Sequence, residues 1–225
     1  GVGVSAGDSL TITGAGSGQL SVSTIGTAGG FTFDGSAMNK DEYFSANTIT
    51  LTSGSVAVNY GAGSNAFFDV SAVNTVSAFT LTGTSLSTTG EIAIDVLSAT
   101  ESINFNVGSM LGSAVISATT TEGSFDFNAG GAANLALVMT SLSASATTIT
   151  LGTVSDASHA ASAGTVDVND FTLNASNYRE IFTMNTLSAS GTTITFGDLS
   201  DAFVASAITT ETFTLNGGDG RLFSA

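Results

Sequence analysis

A phenylalanine-led tetrad recurs five times along this chain and limits what the chain can fold into. FTFD (31–34), FTLT (79–82), FDFN (125–128), FTLN (171–174) and FTLN (213–216) begin 48, 46, 46 and 42 residues apart. Recurrence at nearly constant spacing is the mark of a repeat array, in which each unit packs only on its neighbours. A second anchor agrees: LSASATTITLG (142–152) returns 45 residues later as LSASGTTITFG (187–197), and Ser155-Asp156 returns at the same offset as Ser200-Asp201. The chain divides into a partial repeat at 1–30, full repeats at 31–78, 79–124, 125–170 and 171–212, and a partial repeat at 213–225, all in one continuous array. It opens on GVGVSAGD, with neither an initiator Met nor a basic, apolar leader, and 213–225 reads as a repeat broken after its first strand. The expectation is a processed chain or a piece of something longer.

Each full unit holds about four short strands. In the last they are FTLN (171–174), EIFTMN (180–185), TTITF (192–196) and AITTET (207–212); in the third they are FDFN, LALVMT (135–140), TTITL (147–151) and TVDVND (165–170). Thr, Val, Ile and Phe suit a pleated surface, and apolar residues alternating with hydroxyls predict one buried and one wet face. AANLALVMTSL (132–142) has some helical character, but its Gly, Ser and Thr flanks favour a buried strand. Overlaying FTLN…EIFTMN on TTITF…AITTET splits the unit into two half-units. The expected fold class is therefore all-β: a β-solenoid of the parallel β-helix kind, with ~46-residue repeats of two coils each and two main strands per coil. Ten such coils would stack to roughly 45–50 Å at ~4.8 Å per rung. Phe31, Phe79, Phe125, Phe171 and Phe213 would form an interior ladder, each buried ring contributing roughly 1.5–3 kcal/mol. The absence of proline fits, since a central strand cannot give up its backbone donor. The alternative is a row of tandem β-sandwich domains, each built from two units.

Charge narrows the partners. The chain has 18 acidic and 3 basic residues, a net of −15. Such a surface repels nucleic acid and anionic membrane, and no apolar run is long enough to cross a bilayer as a helix. There is no cysteine, and His159 is the only histidine, so thiolate chemistry, Cys- or His-cluster metal sites and a Ser-His-Asp triad are excluded. Polysaccharide-active enzymes usually grip acidic substrates with basic residues, and this chain offers three; it reads as no enzyme. Acidic turns attract calcium, which takes about six or more oxygen ligands. Candidate ligands are Asp156, Asp198 and Asp201 after the TTIT strands, Asp167 and Asp170 around the third unit's last strand, and Asp219. The competing reading is an ordinary turn aspartate bonded to nearby backbone amides.

The three cations share one place in the repeat. Arg179 and Arg221 lie eight residues after their leading Phe and Lys40 nine, with Tyr43 and Tyr178 close by. That pattern suits a lateral contact strip in an assembly; local compensation by Asp41 and Glu180 is the simpler alternative. The T-x-T pairs Thr11/Thr13, Thr48/Thr50, Thr80/Thr82, Thr148/Thr150 and Thr193/Thr195 resemble the threonine arrays of ice-binding solenoids. Their intervals of 32 to 68 residues predict different points of the repeat, so ice binding ranks behind the structural readings.

NGGDGRLF (216–223) resembles the calcium-binding nonapeptide GGxGxDxUx at Gly217, Gly218 and Gly220, with Leu222 where the motif has its aspartate. In its Ala/Ser/Thr/Gly/Val-rich rows, acidity, lack of Cys and TTITL-type strands, the whole chain resembles the repeat regions of secreted bacterial surface-layer proteins and RTX-like β-solenoid adhesins. The resemblance implies an extracellular, calcium-dependent structural protein that assembles with itself into a sheet or filament. The alternative it implies is a repetitive adhesin stalk, for which a surface polysaccharide is a further partner; a polysaccharide-active β-helix enzyme or an ice-binding protein comes after. The repeat pattern continues to both ends without a polar cap, so each end should meet more of the same polypeptide or another subunit.

Overall fold

The computed structural model describes residues 2–3, 8–27, 29–60, 66–83, 90–107, 112–129, 134–151, 158–175, 180–197, 202–217 and 222–224. Every element among them is a β-strand, and all the pairings are parallel. The strands join into one sheet wound on itself, a β-solenoid. Asn134–Leu151 illustrates the winding. One of its edges pairs with Gly112–Thr121 and Ser124–Ala129 of the preceding coil, the other with Ser158–Ala175 of the next.

Each coil has three faces. On the first, the inward positions Leu10, Phe31, Val56, Phe79, Ile103, Phe125, Thr147, Phe171, Thr192 and Phe213 are successive register partners. On the second, the corresponding column is Leu20, Phe44, Phe68, Ile92, Ala114, Leu137, Ala161, Phe182 and Phe203. Ile25, Ile49, Val73, Leu97, Thr119, Leu142, Val166, Leu187 and Ile208 line the third. Phe44 to Phe68 spans 24 residues, whereas Ala161 to Phe182 and Phe182 to Phe203 each span 21.

The third face arises within the expected two strands per coil, because the second of them bends, as Ala66–Thr75 does after Val56–Tyr60. It is separated from the second by a slip in the burial alternation. Met139 and Leu142 are buried, while Thr140 and Ser141 between them are not, and the register with the next coil omits Thr140 and Gly164. Two successive non-buried residues turn the strand without ending its ladder. The overlay of EIFTMN (180–185) on AITTET (207–212) is corrected accordingly. Ile181–Met184 pair with Ala202–Ala205, and 207–212 pair with 186–191 on the third face and its corner.

The leading phenylalanines lie in one column, but on every second rung. Val56, Ile103, Thr147 and Thr192, all β-branched, alternate with them. Rings two rungs apart are separated by roughly 9–10 Å and cannot touch. They meet other rings instead: Phe31–Phe44 at 5.8 Å, Phe68–Phe79 at 6.2 Å, Phe79–Phe105 at 5.3 Å and Phe171–Phe182 at 6.2 Å. The ladder is thus a zigzag. Phe31, Phe79, Phe125 and Phe171 are buried, whereas Phe213 is 39% exposed.

The corner from the third face back to the first tapers along the chain. Residues 52–55, 76–78, 100–101 and 122–123 form it in successive coils, and later coils pass it within one continuous strand. At its widest, Gly54 has φ of 79° and accepts a 2.8 Å hydrogen bond from the Thr75 hydroxyl. A Cβ on Gly54 would lie 2.8 Å from the Gly30 nitrogen, so both backbone angle and space call for glycine.

Candidate functional site

Aromatic doublets build the most distinctive feature of the outer surface. In a strand, neighbouring side chains point to opposite faces. Phe44 and Phe68 turn inward and stack at 5.3 Å with 10° between their planes. Tyr43 and Phe67 must then face outward, where their rings lie 5.9 Å apart at 38°. Register places Gln19 before Tyr43 and Glu91 after Phe67 in this outer column, with Ser21, Ser45, Asp69 and Ala93 in the next one. The Ser45 hydroxyl donates to that of Ser21 at 3.0 Å.

Two adjacent concavities result. One, of about 160 Å³, is lined by Ser21, Tyr43, Ser45, Asn47 and Asp69 among others. The other, of about 110 Å³, is lined by Tyr43, Phe67, Asp69, Glu91 and Ala93. Tyr43 and Asp69 belong to both. The backbone beneath is held from inside: the buried Tyr60 hydroxyl donates to the Phe67 carbonyl at 3.0 Å, and the Tyr60 ring packs 5.8 Å from Phe33. The doublets Tyr43-Phe44 and Phe67-Phe68, 24 residues apart, carry this signal in the sequence, because two adjacent rings on a strand cannot both be core.

The first face presents a different surface. Its outer columns read Thr11, Thr32, Ala57, Thr80, Asn104, Asp126, Thr148, Thr172, Thr193, Thr214 and Thr13, Asp34, Asn59, Thr82, Asn106, Asn128, Thr150, Asn174, Thr195, Asn216. Ala57 is the one position that is not Thr, Asn or Asp. The expectation that the T-x-T pairs sit at different points of the repeat is therefore corrected. Four of them share this face in register, and Thr48/Thr50 lies on the third. TTIT and FTLN occupy the same rung position, which their differing first residues conceal. Near one end of the array, Asp34 accepts from the Ser36 amide at 3.1 Å. The hydroxyl and amide of Ser36 together hold its carboxyl below the ordinary aspartate value, against a smaller opposing effect of desolvation.

Both ends of the stack are open edges among the described residues. The rung 207–216 pairs with 186–195, and on its far side only Ala202–Val204 of the same strand is met, by Leu222–Ser224. At the other end, the rung from Leu10 has only Ile25 and Gly26 paired on its outer side, with Val2 and Gly3. Leu10, Ile12, Leu20, Val22, Ile208 and Leu215 there are only partly buried. Aliphatic side chains also reach outward on the second face of the later coils, with Val138 40% and Ile181 52% exposed.

The remaining sequence candidates do not converge. Asp156, Asp198, Asp201 and Asp219, with Tyr178, Arg179 and Arg221, lie outside the described residues, and of Lys40 only the backbone is described. Asp167 faces outward between Ser143 and Ser188, and Asp170 lies at a corner between Ala146 and Gly191; both are exposed. Among the described residues no three His, Cys, Asp or Glu side chains come together, so Asp167 and Asp170 do not by themselves make a calcium cage. No family model, no curated protein and no solved structure matches this chain.

Proposed function

We propose that the chain is a structural, non-catalytic element of an extracellular assembly, extended rung upon rung into a filament or layer. The observation that carries this reading is the pair of open edges, 10–24 and 207–216. Among the described residues each meets a further strand along only part of its outer side, and half-buried apolar side chains lie beneath. An uncovered parallel rung is a template for another strand, and monomeric proteins normally blunt such edges with charge, proline or a covering segment. Proline is absent, and Glu211 is the only charged residue in 207–216. Further coils of the same polypeptide and a second copy of the chain would satisfy the edges in the same way, and both lead to an elongated array. Outward Val138 and Ile181 offer a place for side-by-side contact between arrays.

The test is electron microscopy and sedimentation of the purified chain over a range of concentrations, with calcium and then with excess chelator. Filaments or sheets that lengthen with concentration support the reading. Their loss on chelation would place the metal at the acidic connections. Particles that remain monomeric throughout would overturn self-assembly and favour an isolated stalk.

A second reading is favoured by one specific feature, the Thr/Asn/Asp columns of the first face. In the last four coils these run Thr148/Thr150, Thr172/Asn174, Thr193/Thr195 and Thr214/Asn216 without interruption. A regular array of short polar side chains suits an ordered surface such as ice. Thermal hysteresis that is present in the parent chain and lost in Thr193→Lys would support it.

A further inference from the structure

We propose that the outward groove at Tyr43 and Phe67 is a binding subsite for a neutral saccharide chain. Solenoid packing sends aromatic side chains inward, and the other described rings obey it or lie at the open end of the stack. Tyr43 and Phe67 break the pattern on adjacent coils and form a two-ring platform held from within by Tyr60. The negative ring face attracts the C–H-bearing face of a sugar. Around the platform stand acceptors, the carboxylates of Asp69 and Glu91, and the amides of Gln19 and Asn47. Hydrogen bonds from hydroxyl groups to carboxylates are short and strong. A few placed polar groups around an apolar floor are the usual make-up of a small-ligand site.

Other ligand classes fit less well. The backbone of 43–46 and 67–70 is committed to ladders on both sides, so a peptide cannot add here as a strand. No cation is among the described lining side chains, and on a chain of net charge −15 an acidic glycan, a phosphate or a nucleic acid is repelled. A single cationic group would need only one concavity. Two in line, sharing Tyr43 and Asp69, suit successive units of an extended glycan. The subsite stands independently of assembly through the open edges.

The test is saturation-transfer NMR with the full chain and four hexamers: β-linked glucose, N-acetylglucosamine, glucosamine and galacturonate. The expected result is transfer to the ring-face C–H protons of a neutral hexamer and none to galacturonate. Tyr43→Ala and Phe67→Ala should each weaken binding about three- to tenfold, the range of one aromatic contact. Tyr43→Trp should retain binding and so separates loss of the platform from loss of the fold. Failure of both neutral hexamers to bind at millimolar concentration would overturn the proposal, as would Ala variants that bind like the parent. Binding by hexaglucosamine and free arginine without a neutral hexamer would overturn it in favour of a cation trap.

Discussion

The coils from Phe31 to Phe127 and those from Asn134 to Asp170 follow one backbone plan and fill it differently. In the first region ring contacts run unbroken, from Phe31 and Phe33 through Phe44, Phe68, Phe79 and Phe105 to Phe125 and Phe127. In the second there is no phenylalanine, tyrosine or tryptophan, and Leu137, Ala161, Thr147 and Ile149 occupy the same columns. Rings return only with Phe171, Phe182 and Phe203. The rung is thus specified by its ladder and by the inward–outward alternation, and the interior volume is filled locally, coil by coil. Stability should vary along the axis in the same way, since each coil touches only its neighbours.

The largest expected effect comes from removing a ring. Phe68→Ala should cost about 3–5 kcal/mol in urea denaturation followed by circular dichroism. Leu137→Ala, in the same column, should cost less, because the leucine has no stacked partner. Equal losses would mean that the rings add nothing beyond their bulk. Native-state hydrogen exchange gives the wider version of this test: amides of 134–168 should open before those of 44–73, and uniform protection would refute the division.

Backbone clearance should matter next. A Cβ on Gly164 would lie 2.2 Å from the Thr140 carbonyl oxygen of the adjacent coil. Gly164→Ala should therefore destabilise the ring-free region by about 1–3 kcal/mol, as overpacking does. A melting temperature unchanged from the parent would show that the bend shifts freely.

A smaller effect of opposite sign is expected at Thr147, which is 1% exposed and whose hydroxyl has no hydrogen-bond partner among the described residues. Thr147→Val keeps the shape and removes the unsatisfied group, so it should stabilise by about 1 kcal/mol. Thr119→Val, in the same situation, should behave alike. Loss of stability in both variants would point to an internal partner for these hydroxyls.

The smallest effect is a titration. Asp34 has a lowered pKa in the folded chain, so its contribution is present above the unfolded value near about 4 and is lost as pH falls through the folded value. Ser36→Ala removes the larger of the two hydrogen bonds. It should bring the Asp34 carboxyl titration, read by carbon-detected NMR, back toward the ordinary value. An unmoved titration would contradict the assignment.

The solenoid and its two-coil period are legible in the sequence, because FTLN-type tetrads and the TTIT strands recur at fixed offsets and alternate as half-buried strands must. The third face is hidden by its bend, which is only a phase slip at pairs such as Asn47-Thr48 and Thr140-Ser141. Polar residues there look like turns, although the ladder continues through them. The Thr/Asn columns escape notice because Phe171 and Thr192 are register partners of different chemistry, so the motifs they lead look unrelated. The outward platform was available in the Tyr43-Phe44 and Phe67-Phe68 doublets, given that a strand cannot bury two neighbours on one side. The acidic and basic positions between the first and second faces carry no such periodic check, since spacing alone does not say where a loop side chain goes.

The alternation of ring and β-branched residue on the first face bears on how a gene for such a protein can change length. Losing two coils by recombination leaves each phenylalanine next to a Val, Ile or Thr, and the seam closes on familiar neighbours. Losing one coil brings Phe onto Phe, or Thr onto Thr, at the joint. Length variants of this array should therefore differ by about 46 residues more often than by about 23, the two-coil period being the smallest step that keeps the first-face alternation.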